Sequence, residues 1–299
     1  MESIRLLAYA KINLCLEVLG RRDDGYHDLA TVFQSVMLAD ELQIETRDES
    51  GVSLRVPEGG APEGPENLCW RAAEVYQRLR GWPGGMLIEL HKQIPVGAGL
   101  AGGSTDAAAV LRGLAEIDTH PPAYETLERA AAALGSDVPF CLAGGTALGE
   151  GRGERLTEFS ATPVYRVCLV RPDLEISTAE AYAMLTPEDF TPGSRARELA
   201  AYCATAEPLR DWAHLVSNAF AEPLQRRWPV LGELKEQLKQ MGASAAEITG
   251  SGSTVFGLFD RAGLADAAAE VLVQEGYWAR SVMCAARGSE PMERNGEEL

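Results

Sequence analysis

The chain has 299 residues, 46% of them hydrophobic and 24% charged, enough for one large or two ordinary domains with a buried core. A formal net charge of −17 argues against a nucleic-acid or anionic-membrane surface, which needs a basic footprint. A small anionic ligand is not excluded, because a few placed donors can make a pocket locally positive on an acidic protein.

The amino-terminal "IRLLAYAKINLCLEVLG" alternates from residue 10 to 18, which predicts a strand with Ile12, Leu14, Leu16 and Val18 on one face. Lys11, Asn13, Cys15 and Glu17 take the other. Lys11 and Asn13 also interrupt the apolar run, and no small-residue cleavage site follows, so it does not read as a signal peptide. A turn at "RRDDGYHD" leads into further strand over "LATVFQSVMLADELQIETRD". "GVSLRVPEGGAPEGPEN" reads as a short strand and a Pro/Gly loop. Asn67 is the expected N-cap of a helix over "LCWRAAEVYQRLRG" that stops at Gly81. The strand "GGMLIELHKQI" runs into the glycine-rich "PVGAGLAGGSTD", residues 95–106, where Ser104 or Thr105 is expected to cap the helix "DAAAVLRGLAEID". A helix over "AYETLERAAAALG" ends at Gly135.

The second half opens with the strand "YRVCLVRP", followed by helical material around 178–186 and helices near 195–206 and 208–241. "AEITGSGSTVFGLFD" reads as strand, turn and strand, then come a helix over 263–275 and a last strand at "ARSVMCAAR". The polar tail "GSEPMERNGEEL" is expected to be disordered. Mixed elements with antiparallel-looking strand pairs favour an α+β fold. The loop "GGTALGEGRGE" near 144–154 is the expected boundary, giving domains at 1–155 and 156–287 with a tail over 288–299. No internal repeat is visible, and no run approaches the roughly 20 apolar residues of a spanning helix. Cys15, Cys69, Cys141, Cys168, Cys203 and Cys284 include no CxxC pair, and several stand in apolar runs. That pattern suggests neither a zinc site nor a disulfide framework, and a reduced, cytoplasmic compartment.

The glycine stretch admits three readings. It can be a ligand-free loop and helix start. Gly97, Gly99 and Gly102 also satisfy a dinucleotide fingerprint, but late in the chain and with no acidic strand end about twenty residues on. Third, it can be a phosphate cradle, with bare backbone N–H groups and a helix N-terminus closing on phosphate oxygens. No GK[ST] ending follows, so it is not a Walker-type loop. Two segments share its character: "GSDVPFCLAGGTALGEG", which carries Asp137, and "ITGSGSTVFGLF" at 248–259. Taken alone, Asp137 reads as a turn aspartate, Lys11 as a solvated strand lysine, and "YH" at 26–27 as an ordinary surface turn. His91, His120 and His214 read as structural or surface residues.

Together these segments resemble the GHMP small-molecule kinases. "PVGAGLAGGSTDAA" is similar to the second motif of that family and "TGSGSTVF" to the third. "AYAKINLCLEVLGRRDDGYHDLATVFQ" and "GSDVPFCLAGGTALGEGRGE" resemble the branch acting on a cytidine diphosphate ester, and the likeness covers nearly all of residues 5–285. The resemblance implies two α+β domains with the active cleft between them: an amino-terminal one like the second domain of ribosomal protein S5 and a ferredoxin-like carboxy-terminal one. It implies transfer of the γ-phosphoryl group of ATP, with Mg²⁺ bridging its oxygens, to the 2-hydroxyl of 4-diphosphocytidyl-2-C-methyl-D-erythritol, a step of non-mevalonate isoprenoid precursor biosynthesis. Asp137 would be the catalytic base, and Lys11 would favour its ionised form and the developing alkoxide. Pro95, Val96, Gly97, Ala98, Gly99, Leu100, Ala101, Gly102, Gly103, Ser104 and Thr105 would hold the triphosphate, with Asn67 near the adenine unless it is only an N-cap. Asn13, Tyr26, His27, Tyr182, Gly250, Ser251 and Gly252 would line the acceptor site, His27 on the cytosine edge and Tyr26 and Tyr182 against its faces. Tyr182 stands where some relatives are expected to carry phenylalanine, and either ring offers a π face; it reads equally as a helix-face core residue. No protein ligand of Mg²⁺, nucleic-acid partner or membrane partner is implied, and a monomer or weak homodimer is expected. A kinase for another small alcohol, a ligand-binding protein without catalysis and a dinucleotide oxidoreductase stay open as alternatives.

Overall fold

The alternation at the amino terminus becomes one long hairpin, β1 (Ser3–Arg21) and β2 (His27–Arg47), joined by a tight turn. The computed structural model describes residues 2–82, 84–160 and 165–299. Residues 8–18 of β1 are buried on both faces, so Lys11, Asn13 and Glu17 are enclosed rather than solvated. The Glu17 carboxylate accepts the backbone N–H of Ala196 at 2.7 Å, which ties β1 to a helix start in the second half.

The first half continues with β3 (Gly51–Arg55), α1 (Leu68–Arg80), β4 (Gly85–His91), α2 (Gly102–Ile117), α3 (Tyr124–Leu134), α4 (Val138–Ala143), β5 (Thr146–Gly151) and β6 (Arg155–Phe159). The second half holds β7 (Arg166–Arg171), α5 (Thr178–Ala183), α6 (Ser194–Ala204), α7 (Leu209–Trp212), β8 (Ser217–Asn218), α8 (Ala221–Arg227) and α9 (Val230–Gln240). It ends with β9 (Ala245–Ile248), β10 (Val255–Phe259), α10 (Ala262–Gln274), β11 (Trp278–Met283), β12 (Ser289–Arg294) and β13 (Glu297–Glu298).

The first sheet runs β13-β12-β1-β2-β4-β3, with the β5–β6 hairpin on the far end of β2 and β8 beside β1. Its helix-covered face packs Leu6, Ile44 and Ile88 against Ala107, Val110 and Leu114 of α2 and Tyr76 of α1. A side chain at Gly113 would come within 2.7 Å of Leu6, so glycine lets α2 lie close on the sheet. The second sheet runs β11-β7-β10-β9, all antiparallel. Counted in chain order that is 4-1-3-2, the split βαβ arrangement of ferredoxin-like folds. The α+β expectation therefore holds in both halves. No helix among the described residues is long and apolar enough to cross a membrane.

Four expectations need correction. Residues 144–154 are not a loop: β5 pairs with β2 from Leu29 to Gln34, and β6 extends the same sheet to Phe159, so a boundary at 155 cuts a strand. The glycines there suggest a loop, but Gly149 is required because a Cβ would come within 2.6 Å of the Phe33 ring. The helix expected over 208–241 is three helices, interrupted where β8 pairs with β1 and again before Pro229. Helix α4 was not anticipated in its short apolar run. The tail is ordered: β12 pairs with β1 from Ile4 to Ala8, Ser289 is buried, and Tyr9 donates to Glu290 at 2.8 Å. A bare sheet edge recruits backbone donors and acceptors whatever the side chains, so the tail's polar composition did not mark it.

A buried charge cluster holds the glycine stretch to this frame. Asp40 of β2 accepts the backbone N–H groups of Gln93 (2.5 Å) and Ile94 (2.8 Å) and an N–H of the Lys92 ammonium. Lys92 donates its second bond to Asp106 of α2 at 2.7 Å. Burial pushes the Asp106 carboxyl well above the ordinary range.

Removing one member of such a cluster strands the others. Lys92→Met is expected to lower the unfolding free energy by about 3–5 kcal/mol, read as a fall in the urea midpoint. Truncation after Arg287 strips β12 and β13 from the β1 edge and is expected to lower Tm by about 5 °C or more, followed by circular dichroism.

Candidate active site

The two sheets and the glycine turns enclose a cavity of about 950 Å³, at the upper end for small-molecule sites. On one side the chain leaves β4 and makes left-handed turns at Gly97 (φ 66°), Gly99 (φ 77°) and Ala101 (φ 58°) before α2 begins at Gly102. Only glycine fits at Gly99, where a Cβ would run into the carbonyls of Thr249 and Gly252. Ala101 occupies the N-cap of α2 without a side-chain cap, so Ser104 and Thr105 lie in the first turn rather than capping it. A helix start left uncapped and turned toward a cavity is an anion site by geometry.

Of residues 95–105, all but Leu100 and Thr105 line the cavity. Leu100 is buried in the core, and the Thr105 hydroxyl donates to the Tyr9 carbonyl at 2.5 Å. Those two expected ligand contacts are therefore structural: one side chain is apolar and inward, the other already satisfied. Asn67 caps α1 by accepting from Cys69 N–H at 2.9 Å and lines the same side of the cavity. The glycine stretch follows a strand antiparallel to β2, which is not the first turn of a parallel sheet that dinucleotide binding requires.

Lys11 stands at the cavity floor, only 3% exposed. Its ammonium donates to Asn13 Oδ1 (2.8 Å) and to the Gly99 carbonyl (3.1 Å), and lies 3.7 Å from Asp137 Oδ2. Asp137 immediately precedes α4, and its carboxylate is one-third exposed toward the cavity. Asn13 is hydrogen-bonded within the protein at the cavity wall. Its Oδ1 accepts from Lys11, its Nδ2 donates to Thr31 at 2.8 Å, and its backbone N–H donates to Thr249 Oγ1 at 3.0 Å. Asn13, expected as a substrate contact, lines the cavity and also fixes the lysine.

At the other end His27 stacks on Tyr182, ring centroids 4.7 Å apart and 26° between planes, and Tyr182 meets Phe220 edge-on at 4.8 Å. Tyr182 is thus both a packed residue and part of the cavity wall. Burial, with help from nearby Arg21, holds the His27 pKa below its ordinary value. A neutral imidazole offers one donor and one acceptor. Tyr26 is 55% exposed and lies under the Arg152 guanidinium, 5.0 Å from its ring centroid.

Gly250 and Ser251 close the cavity from the second half, the Ser251 hydroxyl 3.2 Å from that of Thr178. Asn218 holds this turn by donating to the Ile248 and Gly250 carbonyls, each at 2.8 Å. Gly252 does not line the cavity: it sits behind the turn against Ile176, Ile248 and Leu224. His91, His120 and His214 lie outside it, as expected. Sequence reasoning missed Thr31, Thr249, Phe220 and Arg152. Thr31 could have been found from the antiparallel register that a short turn imposes on β1 and β2; the others need the fold. Among the described residues no group of three His, Cys, Asp or Glu side chains is placed to hold a metal ion.

Comparison with known proteins agrees with this geometry. Residues 67–145 match the family model for the GHMP kinases N terminal domain, and residues 209–277 match that for the GHMP kinases C terminal domain. The 4-diphosphocytidyl-2-C-methyl-D-erythritol kinase of Citrifermentans bemidjiense is 41% identical over 286 residues, covering 94% of this chain and 99% of that protein. The Moorella thermoacetica protein of the same name is 43% identical over 263 residues, 86% of this chain and 90% of its own. A crystal structure of 4-(cytidine 5'-diphospho)-2C-methyl-D-erythritol kinase is 37% identical with a TM-score of 0.80, over 94% of this chain and 99% of that one. The homoserine kinase of Cytophaga hutchinsonii shares the fold at a TM-score of 0.78 but only 17% of the sequence, over 97% of each chain. With these relatives spanning nearly its whole length, the chain belongs to the 4-diphosphocytidyl-2-C-methyl-D-erythritol kinase family of the GHMP kinases.

Proposed function

We propose that this chain transfers the γ-phosphoryl group of ATP to the 2-hydroxyl of 4-diphosphocytidyl-2-C-methyl-D-erythritol, in isoprenoid precursor biosynthesis. One observation carries the reading. A single cavity holds an open helix start, a lysine–aspartate pair and an aromatic wall, in that order. Phosphoryl transfer needs little more than positioning and charge stabilisation. The backbone N–H groups at the start of α2 and in the glycine turns receive the triphosphate. The acceptor oxygen attacks the γ phosphorus from the Lys11 side as the bond to the bridging oxygen breaks and ADP departs. Asp137 takes the hydroxyl proton, and the Lys11 ammonium stabilises the negative charge growing on the attacking oxygen.

The carboxylate and hydroxyl oxygens on the cavity wall suit Mg²⁺ arriving with the nucleotide, since that ion keeps waters and binds through one or two carboxylates plus phosphate oxygens. Of the side-chain oxygens on the cavity wall, those of Ser104 and Asp137 would hold it. The ion would supply charge neutralisation at the phosphate oxygens. The cytosine is received at the wall built from Tyr26, His27 and Tyr182, and that wall favours this acceptor over mevalonate or homoserine, which carry no base. The His27–Tyr182 spacing of 4.7 Å leaves no room for a base between those two rings. Tyr182 therefore offers the cytosine its other exposed surface or shifts when the base enters. Five of the six cysteines are buried and all six are free, which supports a reduced, cytoplasmic setting.

An ADP-release assay with ATP and Mg²⁺ tests the proposal. Turnover is expected with 4-diphosphocytidyl-2-C-methyl-D-erythritol and not with mevalonate or homoserine. Asp137→Asn should lower kcat by roughly 10²–10⁴ with little change in KM. Turnover with another alcohol would keep the kinase and discard the cytidine wall. No ADP with any acceptor, from folded protein, would favour binding without catalysis.

A further inference from the structure

The β5–β6 turn is built to present one side chain. Gly151 (φ 72°) and Gly153 (φ 105°) flank Arg152 in backbone that favours glycine. Arg152 donates its own backbone N–H to Glu154 Oε2 at 2.6 Å. The turn is seated on the Phe33 ring, where a Cβ on Gly153 would lie 3.3 Å from the ring edge. Phe33 in turn stands 5.8 Å from the Lys11 ammonium. Arg152 thereby faces the same cavity as His27 and Asp137.

Among the described residues, Lys11, Lys92 and Arg152 are the cations on the cavity wall. The first two are committed: Lys11 to Asn13, Gly99 and Asp137, and Lys92 to Asp40 and Asp106. Arg152 is not. Its ion-pair partner, Glu154, stands 3.8 Å from Nε, beyond hydrogen-bond distance, and its side chain is 30% exposed. Its Cζ stands over the Tyr26 ring, 5.0 Å from the centroid, and among the described residues none of its side-chain N–H groups makes a hydrogen bond. A planar fork of that kind binds phosphate oxygens in pairs.

We propose that Arg152 recognises the diphosphate of the acceptor, its N–H groups on the phosphate oxygens while the guanidinium stays over Tyr26. It is a binding and specificity residue: it joins the group that marks the acceptor as a diphosphate ester to the ring that receives the base. The inference rests on reading the acceptor as a cytidine diphosphate ester.

Calorimetry with CDP and with cytidine, the donor site saturated by magnesium and a non-hydrolysable ATP analogue, tests it. Wild type should bind CDP more tightly than cytidine. Arg152→Ala should weaken CDP binding roughly ten- to a hundredfold and leave cytidine and the ATP analogue close to wild type, with Arg152→Lys in between. Equal CDP affinity in wild type and Arg152→Ala overturns the assignment, as does a wild type that does not distinguish CDP from cytidine. A wild type that binds neither ligand, while still binding the ATP analogue, overturns the acceptor reading itself.

Discussion

An ammonium group withdrawn from water must be met by groups that replace its hydration, and Lys11 is where this molecule meets that demand. Its partners come from four places: Asn13 on the same strand, the Gly99 carbonyl in the glycine stretch, Asp137 before α4, and, through Asn13, Thr249 in the turn of the second half. Thr249 lies 3.4 Å from the same Gly99 carbonyl. Satisfying one buried charge therefore fixes the distances between the glycine stretch, Asp137 and the closing turn. The glycines at 99 and 250 follow from this, because both turns approach each other and the lysine so closely that a Cβ on Gly250 would lie 3.1 Å from the Gly99 carbonyl oxygen.

The cavity is not lined by a basic surface. The chain carries a net charge of −17, and three cations on the cavity wall face three acids, Glu66, Asp106 and Asp137. What it offers an anion is oriented backbone: the open first turn of α2 and the N–H groups of the glycine turns. Such donors are fixed before the ligand arrives and need no reorganisation during the reaction. The Lys92 cluster serves the same end from below, since Asp40 pins the two backbone N–H groups at the exit of β4 and so sets where the glycine stretch begins.

Much of this was legible in the sequence because it rests on local patterns. The period-two alternation around Lys11 marked β1, the Asn67 cap and the left-handed Gly81 bounded α1, and spaced glycine motifs placed the cradle and the closing turn. What was missed depends on contacts remote in sequence. Composition could not show that β1 is buried on both faces, which makes Asn13 a support for Lys11 as well as part of the cavity wall. Nor could it show that the tail fills the edge of β1, because backbone pairing leaves no trace in side-chain type. Thr105 was misplaced for a related reason: its hydroxyl resembles that of Ser104 in the motif, yet one helical position turns it from the cavity to the Tyr9 carbonyl. The β5–β6 turn was hidden by its glycines, which signal a loop locally and a ring contact in three dimensions.

The central claim is that one cavity aligns the acceptor hydroxyl with Asp137 on one side and a phosphoryl group held by the α2 start on the other. A crystal structure with a non-hydrolysable ATP analogue, Mg²⁺ and 4-diphosphocytidyl-2-C-methyl-D-erythritol tests it most directly. The account predicts the 2-hydroxyl about 3 Å from an Asp137 carboxylate oxygen and in line with the γ phosphorus, with the triphosphate on the backbone of residues 97–104. A triphosphate bound away from that backbone, or a hydroxyl out of reach of Asp137 with both ligands in place, would contradict it.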